Sequence, residues 1–313
     1  MSNKLLVVIG GPTGVGKTDM AIRLARHYQT EIICADSRQV YTELNIGVGR
    51  PTASQLNAIP HHLIGHISIH QDYSVAHYTN EALHILDDLF LHHDMVILTG
   101  GTGLYVKALM EGFDDIPEVE KEVTERWTAL WKEQGIEPLL KSLEELDPVY
   151  LDIVDKANPR RIIRALAVSE SSGKPFSSFL KGEPIKRPFN ILPIVLTLPR
   201  EELYARIDQR VLHMISQGWE AEARSLYPFR HLKALDTVGY KELFDYFDGN
   251  CSLPEAISAI QQSTRRYAKR QMTWWRHQGN WHSFTPDDDL SIINAIDLEL
   301  EARGKGQGAR SKS

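Results

Sequence analysis

The sequence predicts an α/β fold, a P-loop parallel-sheet core carrying a mostly helical insertion domain, and three observations predict it. Through the first hundred residues short apolar runs alternate with helical spacing, the pattern of parallel strands joined by crossover helices. A glycine-rich stretch, Gly11-Pro12-Thr13-Gly14-Val15-Gly16-Lys17-Thr18, stands between the first run and the first helical pattern. Beyond Phe113 apolar residues recur every three to four positions among charges, and the next strand-like run is Ile191–Leu198. The expected division is 1–112 with 191–302 for the core, 113–190 for the insertion and 303–313 for a disordered Gly/Lys/Arg/Ser tail.

Each element has a local reason. Leu5–Ile9 is an uninterrupted apolar run and reads as a buried strand. Lys17 to Tyr28 places Ala21, Ile22, Leu24 and Ala25 at helical spacing. Glu31–Ala35 and Met95–Leu98 are further short strands. In the insertion, Val119, Val123, Trp127 and Leu130/Trp131 mark an amphipathic helix that Gly135 stops. Asp147-Pro148 and Asn158-Pro159 each pair a cap residue with a first-turn proline, and the second of these helices runs until Gly173. From Glu201 onward the spacing is helical. No internal repeat is present.

Composition removes several classes of function. With 313 residues and 42% hydrophobic side chains there is ample material for a core of roughly two domains. No apolar run approaches the roughly 20 residues that span a bilayer, and the N-terminal run is too short for a secretion signal. No membrane partner is expected, and the protein reads as cytoplasmic. Cys34 and Cys251 alone make neither a disulfide framework nor a thiolate zinc site. Net charge is 35 − 41 = −6, which argues against a nucleic-acid partner until its distribution is read. Ala256–Pro286 holds no acid but contains Arg265, Arg266, Lys269, Arg270 and Arg276, and Asn158–Pro188 holds seven Lys/Arg against two Glu. Local fields of this kind suit a polyanion.

The full G-x4-G-K-T pattern lets backbone N–H groups turn inward around a phosphate, with Lys17 as a mobile cation and the Thr18 hydroxyl within reach of Mg2+. The usual second acid is missing, because Met95–Leu98 runs into Thr99-Gly100-Gly101-Thr102. Asp36 is the one acid at a strand's C-terminal end. It is a general base, a magnesium-organising group through water, or a helix cap. Thr102 offers one hydroxyl beside glycines that let the backbone approach closely. His62, His66 and His70 stand four apart, but Pro60, Gly65 and the alternating Ile67/Ile69 favour extended chain over a metal-binding helix. Arg160, Arg161 and Arg164 form a basic trio without a carboxylate. Arg265, Lys269, Thr273 and Arg276 form a stripe interleaved with Tyr267, Trp274 and Trp275, aromatics that suit stacked bases or core packing.

Five blocks then follow the P-loop in order: Asp36-Ser37-Arg38-Gln39-Val40-Tyr41, Gly100-Gly-Thr-Gly-Leu-Tyr-Val-Lys-Ala108, Asn158-Pro-Arg-Arg-Ile-Ile-Arg164, Val238-Gly-Tyr-Lys241 and Thr264-Arg-Arg-Tyr-Ala-Lys-Arg270. The series resembles the tRNA dimethylallyltransferase family, the isopentenyl-diphosphate:tRNA isopentenyltransferases, from about Leu5 to His282. Two cysteines cannot form the C-terminal zinc finger that eukaryotic members can carry, so the likeness is to the bacterial form. The resemblance implies transfer of a dimethylallyl group from dimethylallyl diphosphate to N6 of the adenosine 3′ of the anticodon, releasing diphosphate. It implies that Asp36 is the general base and that Thr102 borders the target nucleotide. Gly11, Pro12, Thr13, Gly14, Val15, Gly16, Lys17 and Thr18 hold diphosphate, Thr18 with Mg2+, and Arg210 clamps the far side. It places tRNA contacts at Asp36, Ser37, Arg38, Gln39, Thr102, Arg160, Arg161, Ile162, Ile163, Arg164, Asp236, Thr237, Val238, Gly239, Tyr240 and Lys241. A monomer acting on the tRNA anticodon loop is expected. Gly65 and Ala76-His77-Tyr78 depart from the family pattern, as does Glu120, where a basic tRNA contact is usual. The competing reading is a small-molecule P-loop kinase of the shikimate or gluconate type, which needs no basic helices. A guanine-reading Asn-Lys-x-Asp is absent.

Overall fold

The computed structural model describes residues 3–112, 114, 116–180 and 185–308, with side chains as far as Ala302. Phe113, where the sequence texture changes, lies outside the described residues. The described strands form one sheet: β1 Leu5–Gly10, β2 Ile32–Cys34, β3 His61–His62, β4 Met95–Thr99, β5 Asn190–Leu196 and β6 His282–Phe284. Their order is β3-β2-β4-β1-β5-β6 with every pairing parallel, in register at Val7↔Ile97 and Ile9↔Ile194.

The central strand shows why the apolar run reads as it does. Leu5, Val7 and Ile9 pack on one face with Met20 and Leu24 of the helix Lys17–Tyr28 and with Ile207, Ile292 and Ile296. Leu6 and Val8 pack on the other with Tyr78, Leu86, Val106 and Leu109. Alternate residues face opposite layers, so a strand covered on both sides must be apolar throughout. Each fully buried aliphatic side chain contributes about 1.5–3 kcal/mol, which anchors the sheet on β1. The edge strands β3 and β6 have three residues or fewer, with Phe284 their one apolar side chain. They carry no periodicity and are legible only once the sheet exists. All strands being parallel, the chain leaves β1, β2 and β4 on one side, through 11–18, 35–39 and 100–102.

The chain falls into two compact units, Met1–Glu111 with Lys186–Ser313, and Gly112–Ile185. The return to the first unit therefore precedes the expected 190/191 boundary. Arg187 donates to the carbonyls of Ala108 and Leu109, and Phe189 is buried against Phe90. In the first unit, a further cluster around Trp219, Tyr240, Phe244 and Ile260 supports Val40 and Leu44.

The second unit packs the helices Lys121–Gln134, Glu137–Leu146, Pro148–Ile153 and Pro159–Ser172 around Leu139, Leu143, Leu166 and Phe176. Its expected caps are in place. Asp147 accepts from the Tyr150 amide, and Asn158 accepts from the Arg161 amide. Gly173 closes its helix at φ 67°. Asp147 is fully buried, and Ser177 satisfies it through both its amide, at 2.6 Å, and its hydroxyl.

The tail differs from expectation. The last helix runs Asp289–Gly308, carrying helical backbone into 303–308, because propagating a helix already nucleated is far easier than starting one. Residues 309–313 lie outside the described residues. Among the described residues no helix is long and apolar enough to cross a membrane.

Candidate active site

Where β1 ends, the chain turns through Gly11, Gly14 and Gly16 at φ 140°, 81° and 104°. L side chains rarely adopt these values, and this conformation turns successive N–H groups toward one concavity. The following helix begins at Lys17 without any side-chain cap, so its first amides remain available to an anion. Lys17 Nζ folds onto the loop, donating to the carbonyls of Gly11 at 3.0 Å and Pro12 at 2.7 Å. Burial lowers its pKa to about 8, Asp36 working against the shift and Arg210 with it.

Asp36 follows β2. Its Oδ1 accepts from the amides of Arg38 at 2.9 Å and Gln39 at 3.3 Å. The cap reading thus describes one oxygen of the carboxylate. Oδ2 has no hydrogen-bond partner among the described residues and points at the Gly100–Thr102 turn. A methyl group built on Gly101 would lie 3.8 Å from Asp36 Oδ2 and 3.9 Å from Lys17 Nζ. Thr102 joins the same turn to the Asp36 segment, its Oγ1 accepting from the Ser37 amide at 2.9 Å and donating to the Ser37 hydroxyl at 3.2 Å.

These groups open onto a cavity of about 800 Å³ in the first unit, lined at its polar end by Thr13, Gly14, Gly16, Lys17, Thr18 and Asp36. Arg210, from the helix Arg200–Ser216, lines the cavity too. Burial holds its pKa below the usual guanidinium range against the pull of Asp36. Among the described residues no carboxylate lies within ion-pairing distance of it. Gly49 leaves the room for it, since a β-carbon there would collide with the guanidinium. The remaining wall includes Ile46, Val48, Ile64, Met214 and Tyr267. Half-buried cations, a carboxylate oxygen near them and apolar side chains elsewhere in the lining suit a phosphorylated hydrocarbon and a proton to be removed.

The predicted residues divide into three groups. Gly11 to Thr18, Asp36, Thr102 and Arg210 come together around the crevice or its turns. Arg38 and Gln39 stand beside them, but their side chains are committed internally. Arg38 donates to the carbonyls of Lys233, Ala234 and Asp236, pinning that segment to the Asp36 turn, and Gln39 donates to Val48 and Gly49. Asp236 and Lys241 form an exposed ion pair, and Thr237 and Val238 are half-buried between them. Gly239 and Tyr240 are buried, with the Tyr240 hydroxyl donating to Glu222 at 2.6 Å, so any tRNA contact there falls to the backbone or to their neighbours. The second unit shows a similar burial. Ile162 and Ile163 are core residues there at 0% and 6% exposure, since they fall on the helix's inner face. Arg160, Arg161 and Arg164 are exposed, Arg164 donating to the Pro117 carbonyl. Arg265 leaves the late basic stripe by pairing with Asp208, while Arg266, Lys269, Arg270 and Thr273 line one exposed hollow. His62 and His66 pair with different carboxylates, and His70 packs on Phe229.

Some residues of the site escape sequence reasoning. Gln271 reaches in from the helix Leu253–His277, its Oε1 accepting from the Thr13 amide and its Nε2 donating to the Gly101 carbonyl, both at 2.8 Å. Arg50 Nε and His61 Nε2 are buried without partners among the described residues, and both residues line the cavity. Glu222 accepts from the amides of Ile46 and Gly47, holding the loop that forms the apolar wall. No spacing rule identifies any of these.

The IPP transferase family model matches residues 39–278. A tRNA dimethylallyltransferase of Bacteroides thetaiotaomicron is 46% identical over 294 residues, covering 94% of this chain and 96% of its own. A tRNA isopentenylpyrophosphate transferase from Bacillus halodurans has a crystal structure 34% identical to this chain at TM-score 0.72, covering 98% and 100% of the two chains. A eukaryotic dimethylallyltransferase captured acting on tRNA aligns at TM-score 0.77 and 25% identity, over 96% of this chain and 77% of its own.

Proposed function

This chain belongs to the IPP transferase family, and from that premise we propose that it transfers a dimethylallyl group from dimethylallyl diphosphate to N6 of the adenosine 3′ of the anticodon in tRNA. The observation that carries this reading is the Asp36 Oδ2, without a hydrogen-bond partner among the described residues, in the same cavity as the Lys17 and Arg210 cations. Family membership sets aside the small-molecule kinase.

The chemistry follows from the groups present. The N6 amine is a weak nucleophile because its lone pair is delocalised into the purine. Asp36 Oδ2 takes the N6 proton as the nitrogen bonds to C1 of the donor, a step worth roughly 10²–10⁴-fold. The C1–O bond breaks, and the electron pair leaves with the diphosphate. Lys17, Arg210 and the amides of Gly14 to Thr18 carry that charge. The apolar wall formed by Ile46, Val48, Ile64 and Met214 holds the prenyl chain. The Thr18 hydroxyl and the Asp36 carboxylate among the lining suit Mg2+, an ion that keeps most of its waters and binds through one or two protein oxygens and substrate phosphates. Thr18 would hold it, and when bound it would neutralise diphosphate charge. The adenosine leaves its stack to reach a buried donor, at a cost of a few kcal/mol that favours a loop over a duplex. Ser37, Thr102, Asp236, Thr237 and Lys241 with Arg160, Arg161 and Arg164 are the proposed tRNA contacts of a cytoplasmic monomer.

The test is incubation of the purified protein with total tRNA and labelled dimethylallyl diphosphate, then nucleoside mass analysis. Adenosine gaining one five-carbon unit is expected. ATP consumption without prenylated nucleoside would overturn the reading.

A further inference from the structure

We propose that Gln271 is a positioning residue that sets the distance between the donor-binding loop and the turn carrying the general base, an inference that rests on the function proposed above. The geometry is a continuous chain of hydrogen bonds. The Thr13 amide donates to Gln271 Oε1, and Gln271 Nε2 donates to the Gly101 carbonyl, each at 2.8 Å. The next residue, Thr102, accepts from the Ser37 amide at 2.9 Å, and Asp36 caps the same turn through Oδ1. One side chain from a helix far along the sequence thus spans the loop after β1 and the turn after β4.

The position demands an amide. Gln271 is 7% exposed, and its bond to the Gly101 carbonyl is buried, so that carbonyl has no water to turn to when the amide is lost. Thr13 presents a donor and Gly101 an acceptor, and only a side chain with one of each in fixed relation satisfies both. Ionised glutamate would set a second negative oxygen against the Gly101 carbonyl, and methionine would leave both groups unpaired. The neighbouring helical positions explain how the residue is held. Ala268 and Trp275 are buried on the same face of the helix, Trp275 filling the space over Gly10. Lys269, Arg270 and Thr273 are exposed on the other side.

The consequence is kinetic. Reaction requires C1 of the donor, fixed by the Gly11–Thr18 loop, to meet an amine whose proton faces Asp36. Displacements of about an ångström between such groups cost on the order of a hundredfold. Gln271→Met should therefore lower kcat by roughly ten- to a hundredfold while KM for both substrates changes less than about threefold. Gln271→Glu supplies a readout that a purely structural role would not move. Protonated glutamic acid restores the pattern, its carbonyl oxygen accepting from Thr13 and its O–H donating to Gly101. Its kcat relative to wild type should rise as pH falls, whereas that of Gln271→Met should keep a constant ratio.

The experiment is single-turnover prenylation of tRNA by wild type and both variants across pH, with thermal unfolding of each. Prenylation by wild type is the control: its absence would overturn the proposed function and this inference with it. Given wild-type turnover, the kcat-selective loss in Gln271→Met with acid rescue in Gln271→Glu supports the assignment. Wild-type kcat in folded Gln271→Met, or a loss confined to KM, overturns it. Should Gln271→Met fail to fold, the Gln271→Glu profile decides alone, a pH-independent ratio to wild type ruling the assignment out.

Discussion

The crevice of the first unit and the helix Pro159–Ser172 of the second both present arginines, yet they are paired with their surroundings in opposite ways. Arg210 and Lys17 are half-buried, and the loss of water around each lowers its pKa. Neither has a carboxylate within ion-pairing distance among the described residues. Arg160 and Arg161 stand in solvent. A partly desolvated charge that no carboxylate balances is costly in the folded protein, so its presence is itself an argument for an anion that relieves the cost on binding. An exposed charge costs nothing and argues nothing until it is tested. Half-buried cations carry chemical information that exposed cations of the same kind do not.

The largest expected effect breaks the crevice itself. Asp36→Asn keeps the Oδ1 cap, because an amide oxygen still accepts from Arg38 and Gln39, but it removes the proton acceptor. Single-turnover prenylation should fall by roughly 10²–10⁴-fold with donor affinity preserved. Near wild-type turnover would reduce Asp36 to a cap. Next in size, Lys17→Ala should lower kcat/KM by roughly 10²–10³-fold, as for loss of one group that bears developing negative charge. Binding of tRNA, measured separately by filter retention, should be nearly unchanged. Equal losses in both measurements would end the division between donor-binding and tRNA-binding groups.

Arg210→Met separates affinity from stability. It removes charge-assisted hydrogen bonds to the donor worth about 1.5–3 kcal/mol, so the Kd measured by calorimetry should rise about ten- to a hundredfold. The melting temperature of the free protein should rise as well, since a half-buried cation has gone. A fall in both would place the Arg210 role in packing. A smaller, graded effect comes from pH. Lys17 loses its proton near pH 8 in the free protein, and diphosphate prefers the ammonium. Donor affinity should hold level below about pH 8 and decline by up to about tenfold per pH unit above it. The stability sign is the reverse. The folded pKa lies below the ordinary 10.5, so the cost of burying the ammonium is full below about pH 8 and is relieved as pH rises toward 10.5. Lys17→Met should flatten both trends.

These contrasts also explain what was legible in the sequence. Leu5–Ile9 and Met95–Leu98 announce β1 and β4 because strands buried on both faces must be apolar, and Asn158-Pro159 announces its helix because capping is local chemistry. The glycine loop is equally local, since its function is written in consecutive residues. β3, two histidines long, owes its existence to β2 alongside it and has no signal of its own. Gln271 is silent for the same reason: a glutamine in a basic helix looks solvated until Thr13 and Gly101 arrive from elsewhere in the chain. Ile162 and Ile163 show the converse. A resemblance transfers a whole block, but the helical period divides that block between a basic outer face and an apolar inner one.

The smallest expected effect sharpens the comparison where the solvated-surface reading is strongest. If Arg160, Arg161 and Arg164 contact tRNA phosphates, each contact displaces condensed cations. Replacing all three by Gln should then weaken tRNA binding and reduce the slope of log K against log salt by roughly 0.7–0.9 per lost contact. Arg164 donates to the Pro117 carbonyl at 3.3 Å, a weak bond, and it would have to turn from that bond to reach a phosphate. The decrement is therefore expected to come mainly from Arg160 and Arg161, and the single Arg164→Gln variant should move the slope least. Donor affinity, set by groups of the first unit, should not change. Filter binding at several salt concentrations separates the readings. An unaltered slope in the triple variant would leave this helix as a solvated face, and the block Arg160–Arg164 would then owe its pattern to the packing of Ile162 and Ile163 alone.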